Sequence, residues 1–194
     1  MGDGHRDLRH RRRAGQTRAR LLCACLGLTG VLAAAAGQAQ TSVEYAVKAA
    51  YLAKFAPFIA WPDSAFAGPT APLNICILGS DPFGNDLDKA LAGQKDGDHP
   101  LVVRRLTAPD AVVGCHILYT RGEELADMTL TDLKTQPVVT VTDSGMRAHG
   151  VISFVVIDNH VRFDIDDAAA EDAGLSISSK LLGLAHAVRR KGAR

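Results

Sequence analysis

From Val43 onward, apolar residues recur at three- and four-residue steps: Val43, Val47, Ala50, Tyr51, Phe55 and Phe58. That spacing gathers side chains on one stripe of a helix, so Ser42 to Ala56 is predicted helical, with Ser42 as its cap. Pro57 has no amide hydrogen and its ring collides with the preceding turn, so it ends or bends the helix. An apolar exit follows, Phe58-Ile59-Ala60-Trp61-Pro62, and then a Gly/Pro loop from Ala67 to Pro72. Leu73 to Leu78 is a continuous apolar run and reads as a strand. Asp81-Pro82-Phe83-Gly84 opens a helix reaching about Ala92, with Asp81 as cap and Pro82 as its first residue. Leu101 to Leu106, His116 to Thr120 and Val138 to Thr142 are further strands, with a short helix near Pro109 and a longer one over Glu123 to Leu133. Val151 to Ile157 and His160 to Ile165 flank Asp158-Asn159, a two-residue hairpin signal. Two helices, Asp167 to Ala173 and Ser178 to Val188, close the pattern around Gly174; in the second, Leu181, Leu182, Leu184, Ala185 and Val188 form an apolar face. Alternating helices and near-continuous apolar strands predict an α/β three-layer sandwich: a mostly parallel sheet of about six strands, a C-terminal antiparallel hairpin, and helices on both faces.

The segment before this pattern reads differently. Seven arginines between Arg6 and Arg20 precede an apolar run from Leu21 to about Ala36 and the small residues Gly37-Gln38-Ala39. Those are the parts of a secretory signal peptide, and an apolar core of about 16 residues is short for a spanning helix of roughly 20. A retained anchor helix is the alternative. Residues 1–39 are therefore expected to be a Sec-type signal peptide, residues 40–189 one α/β domain, and residues 190–194 a basic tail. Export places the domain in the periplasm. The chain carries 22 basic and 21 acidic residues, and the leader takes seven of the former and two of the latter, leaving 15 and 19. An acidic balance argues against nucleic acid as a partner, which favours a basic face.

Only Cys76 and Cys115 remain after such a cut. In an oxidising compartment an even pair suggests one disulfide; two separately buried thiols are the alternative. No catalytic centre emerges. Ser178-Ser179-Lys180 starts a helix, and adjacent helix positions point apart. Asp164, Asp166 and Asp167 crowd a strand-to-helix junction that favours acids in any case. His99, His116, His149, His160 and His186 are scattered without metal-binding spacing, and His116, inside an apolar strand, reads as a buried, hydrogen-bonded histidine. The turn after the first strand, Gly79 to Gly84, sits where open α/β sheets bind ligands. It lacks GxGxxG and a phosphate-loop lysine, so Asp81, Phe83 and Gly84 are either a candidate ligand site or plain helix capping. Neither a cofactor nor a metal is implied. Large apolar and cationic residues near the helix exit are the other candidates. Phe58 and Trp61 follow Pro57, tryptophan is favoured in binding hot spots, and Lys54 stands near the middle of the stripe.

Val47-Lys48-Ala49-Ala50-Tyr51-Leu52-Ala53-Lys54-Phe55 with Phe58 and Trp61-Pro62 resembles the opening of the YfiR-like (YfiR/HmsC-related) periplasmic proteins. The resemblance continues through Ile75-Cys76-Ile77-Leu78-Gly79, Asp81-Pro82-Phe83-Gly84 and Cys115-His116-Ile117-Leu118. It ends with Val161-Arg162-Phe163-Asp164-Ile165 and Leu175-Ser176-Ile177-Ser178-Ser179-Lys180-Leu181-Leu182. No one of these segments is diagnostic; their order and spacing carry the likeness. The resemblance implies a non-enzymatic repressor that binds the periplasmic sensor domain of an inner-membrane diguanylate cyclase. It also implies a homodimer, sequestration by an outer-membrane lipoprotein in some systems, and lowered cyclic di-GMP and biofilm formation. Cys76 and Cys115 match cysteine positions of the family, and Arg162 joins Lys54, Phe58 and Trp61 as expected partner-binding residues. The competing reading is a periplasmic small-molecule-binding protein feeding a membrane receptor.

Overall fold

The computed structural model describes residues 43–121, 131–143, 145 and 149–192. The expected leader, the Ser42 cap and most of the Glu123–Leu133 helix lie outside them.

The first helix, α1 (43–55), runs into a single 3-10 turn, Ala56–Phe58, that accommodates Pro57 near its start. Its buried stripe is Tyr45, Lys48, Ala49, Leu52 and Phe55. This corrects the stripe expected from Val43 and Val47, which are 65% and 39% exposed. The helix is rotated because a lysine occupies a core position, and an apolar count skips it. After α1 come β1 (Ile59–Ala60), β2 (Leu73–Leu78), α2 (Asn85–Leu91), β3 (Lys95–Asp96), β4 (His99–Leu106), β5 (Ile117–Thr120) and β6 (Val139–Asp143). The chain ends through β7 (Ile152–Ile157), β8 (His160–Asp166), α3 (Asp167–Asp172), β9 (Ser176–Ile177), α4 (Ser179–Leu182) and β10 (Ala187–Arg189).

Among the described residues, eight strands form the main sheet in the order β10-β8-β7-β6-β5-β2-β4-β3, and β1 pairs with β9 in a separate two-stranded ribbon. The β2–β4, β2–β5, β5–β6, β6–β7 and β8–β10 pairs are parallel; β7–β8 and β3–β4 are antiparallel. The expected hairpin is present. Asp158 and Asn159 both take positive φ, 49° and 61°, the backbone signature of a turn whose twist matches that of the strands. The chain moves from β2 to β4 on one side and then back past β2 to β5, so the strand order reverses between β2 and β5.

One face of the sheet, with Ile75, Ile77, Ile117, Val141, Phe154 and Phe163, packs on α1 together with Leu87 and Leu91 of α2 and Leu181 of α4. The other face carries Cys76, Leu78, Leu106, Leu118, Leu133 and Val138. This mixed, mostly parallel sheet with helices is consistent with a three-layer sandwich. The second face turns polar towards β7, where Thr140, Thr142 and Ser153 are buried. Their hydroxyls serve backbone: Thr142 Oγ1 accepts from the Gly150 amide (3.2 Å) and Thr140 Oγ1 from the Val151 amide (2.9 Å). A Cβ at buried Gly150 would lie 2.4 Å from the Thr140 carbonyl oxygen, a backbone atom that cannot swing away. Gly150→Ala should therefore cost about 2 kcal/mol or more in a urea titration; a loss below about 0.5 kcal/mol would mean the segment shifts freely.

Two boundaries differ from the pattern reading. Helix α2 starts at Asn85, with Gly84 rather than Asp81 at its cap position. The expected helix over Ser178–Val188 is only α4, four residues, followed by Gly183 and strand β10. The free edge of β8 decides this: Ala187–Arg189 pairs along Asp164–Asp166, and the His186 amide donates to the Phe163 carbonyl (2.8 Å). Edge backbone groups left unpaired outweigh a helix propensity that leaves Leu184 64% exposed.

Candidate functional site

At the carboxyl ends of β5 and β6, side chains from α1, β5 and β6 meet around Asp143. Its Oδ1 accepts from Lys48 Nζ (3.0 Å), and Oδ2 accepts from the hydroxyls of Tyr45 (3.0 Å) and Tyr119 (2.8 Å). Arg121 adds an ion pair at 3.5 Å, and Glu44 pairs with Lys48 one helical turn away. The Lys48 side chain is 2% exposed and lies 4.6 Å from the centre of the Tyr45 ring. Burial, and next the Asp143 carboxylate, push the Tyr45 phenol up to about 12 and raise Tyr119 too. Both hydroxyls thus stay protonated donors at neutral pH. Phe83 closes the cluster with edge-on contacts to Tyr45 and Tyr119. This arrangement satisfies its own charges and latches α1 to the sheet. Sequence reasoning missed it. The available signal was Lys48 one turn after Glu44, on the face that Tyr45 and Leu52 bury.

The turn at Asp81, Phe83 and Gly84 is closed by internal bonds. Asp81 Oδ1 accepts from the Phe83 amide (2.7 Å) and Oδ2 from Arg105 Nε (2.6 Å). Arg105 also reaches the Gly84 carbonyl (2.9 Å) and Asp88 Oδ2 (2.6 Å). The bonds from Asp88 and Asp81 raise the Arg105 pKa, while the same contact lowers that of Asp88. Gly84 adopts φ 50°, a backbone region in which a side chain is strained. Phe83 is buried in the core. Among the described residues, no three His, Cys, Asp or Glu side chains converge as metal ligands.

An open apolar groove lies at the other end of α1. It has a volume of about 430 Å³ and is lined by Tyr51, Phe58, Leu101, Phe163, Leu181 and Leu184, with Lys54 and Lys95 at its rim. Both lysines are exposed, and neither has an ion-pair partner among the described residues. The sequence matches the model of the YfiR/HmsC-like family over residues 45–186. This chain belongs to that family. Comparison with curated proteins gives no match.

The YfiR/HmsC-like family is regulatory rather than catalytic, and its members act in diguanylate cyclase signalling. In this YfiR/HmsC-like chain the segments that carry the resemblance fall into separate places. Lys54 and Phe58 share the groove. Trp61 is half-buried beside His116 and Phe66, on the loop after β1. Arg162 is exposed on β8, between Val161 and the core residue Phe163, so it points away from the groove side of the sheet. Cys76 and Cys115 form a disulfide with Cα atoms 5.9 Å apart.

Proposed function

We propose that this chain is an exported periplasmic repressor that binds the periplasmic sensor domain of an inner-membrane diguanylate cyclase and holds it inactive. Cyclic di-GMP and biofilm formation fall as a result. The observation that supports this most is the YfiR/HmsC-like match over most of the chain, joined to an apolar groove with two exposed lysines on its rim that have no ion-pair partner among the described residues. Such a groove suits a protruding apolar or aromatic side chain next to acidic residues: the apolar part supplies affinity and the charges steer the approach. The cyclase conformation that presents this element is bound more tightly, and its population rises by the ratio of affinities for the two states. A homodimer doubles the number of such contacts, and an outer-membrane lipoprotein competing for the repressor would reverse it.

Phe58→Ala and Lys54→Glu should each weaken binding to the sensor domain about tenfold or more, with the far-ultraviolet circular dichroism of the folded protein retained. Arg162→Ala, on the opposite sheet face, separates the two faces as binding surfaces. Isothermal titration against the purified sensor domain, and cyclic di-GMP levels after gene deletion, check the reading. Unchanged cyclic di-GMP on deletion, with no sensor-domain binding, removes the proposal. Normal binding by both groove variants and loss by Arg162→Ala moves the interface to β8. The small-molecule reading gains nothing from the Asp81–Gly84 turn, whose polar groups are already paired with Arg105 and backbone.

A further inference from the structure

At the amino ends of β2, β4 and β5, three rings stack. Phe66 lies between His99 (centroids 3.9 Å, planes 17° apart) and His116 (4.4 Å, 25°). Trp61 meets the His116 ring edge-on at 6.2 Å. The same two histidines also hold the loop's backbone. His99 Nδ1 donates to the Ala71 carbonyl (2.6 Å) and His116 Nε2 to the Ala65 carbonyl (3.1 Å). The loop between β1 and β2 is thus fastened at two carbonyls and one sandwiched ring, all through imidazoles.

His116 fits this position only when neutral: its cation could still donate from Nε2 to Ala65 but could not accept from the Asn74 amide. Its Nδ1 accepts the Asn74 backbone amide at 3.0 Å, so Nε2 carries the proton given to Ala65. A second proton on Nδ1 would point at the Asn74 N–H, turning a hydrogen bond into an opposition of two donors. His116 is 3% exposed. Burial, opposed in part by the Ala65 bond, lowers its pKa, and His99 across the Phe66 ring acts in the same direction as burial. The titratable groups on the elements packed around it are His99 and Arg104 of β4 and Asp63 of the 3-10 turn Asp63–Ala65. Arg104 is engaged with the Val113 and Ala111 carbonyls. No carboxylate is bonded to His116 among the described residues to stabilise its cation. The face of Phe66 attracts a cation, yet it serves His99 equally and cannot replace the lost bond from the Asn74 amide.

We propose that the His99–Phe66–His116 stack is an acid-released latch: protonation of His116 frees the loop carrying Trp61 and Phe66 from the sheet. The sign follows from the neutral form being the one bonded in the folded state. Proton uptake favours the open or unfolded state, so closure is complete above the ordinary histidine value of 6.5 and weakens as pH falls below it. Trp61 is the chain's single tryptophan and reports the event directly.

The test follows tryptophan emission and acrylamide quenching of the purified protein from pH 7.5 to 5.0, with far-ultraviolet circular dichroism as the fold control. Expected is a reversible red shift with quenching raised about twofold or more, a midpoint below 6.5 and an unchanged dichroism spectrum. In His116→Asn, whose amide oxygen can still accept from Asn74 but does not titrate, emission should stay flat with pH. A flat wild-type profile, or a transition that persists in His116→Asn, overturns the latch. Should that variant fail to fold, an NMR titration of the wild-type histidine Cε1 protons decides. A His116 midpoint coincident with the Trp61 transition supports the latch, and a separate midpoint overturns it.

Discussion

The Cys76→Ala/Cys115→Ala double variant is expected to lose about 4 kcal/mol of stability relative to the oxidised protein, the chain-entropy value for a loop closed across a separation of 39 residues. The two cysteines reach one another because β2 and β5 are neighbours: Cys76 lies within β2 and Cys115 just before β5. Both sulfurs are buried against Leu78, Leu106, Leu118 and Leu133 on the second face. The bridge therefore restrains the unfolded chain without imposing a surface crosslink on the native one. Urea titrations of both proteins measure the difference, and the slope m should rise in the variant because its unfolded chain exposes more surface. A stability difference below about 1 kcal/mol, with equal slopes, would mean that β2 and β5 stay associated after unfolding.

Two lysines six residues apart on α1 are expected to behave in opposite ways. Lys48→Met removes the cation from a site that is 2% exposed and leaves Asp143, 12% exposed, with one fewer neutralising partner. Removing one member of a buried pair costs about 3 kcal/mol, which in a domain of this size lowers Tm on the order of 10 °C. The tyrosine hydroxyls and Arg121 still reach Asp143, so the loss stays short of global unfolding. Lys54→Met, on the exposed groove rim, should change stability by no more than about 0.5 kcal/mol. Thermal melts of the two variants side by side check this. Equal, small effects would show that Asp143 is held by its other three partners and that Lys48 contributes packing alone.

These expectations also mark what could and could not be read from the chain. The strand Leu73–Leu78 and the Asp158-Asn159 hairpin were legible because their signals are local: an apolar run with defined ends, and two adjacent residues that tolerate positive φ. The Cys76–Cys115 pairing is legible as an expectation because the other two of the four cysteines, Cys23 and Cys25, fall in the expected leader. Asp81 was misplaced as a helix cap because its decisive partner, Arg105, is 24 residues away on β4. Lys54 stands out in the sequence for its place on the helical stripe and Phe58 for its place after Pro57, yet Tyr51, Leu101, Phe163 and Leu184, which complete the groove lining, come from α1, β4, β8 and the turn after α4. No spacing rule connects them. Arg162 follows the same logic in reverse: adjacent in sequence to Phe163, it is on the other face of the sheet, because neighbouring strand residues alternate.

By itself, the sequence determined the α/β alternation, the apolar strands of a mostly parallel sheet, the antiparallel hairpin and membership of a regulatory family, since each rests on short-range patterns or their order. Tertiary structure alone decided which lysine enters the core, which acid receives it, and that residues 187–189 form a strand instead of the end of a helix. The physical reason is common to all three. A charge or an unpaired backbone edge is settled by the nearest partner in space, and Asp143 is 95 residues from Lys48 while β8 is about 20 from β10.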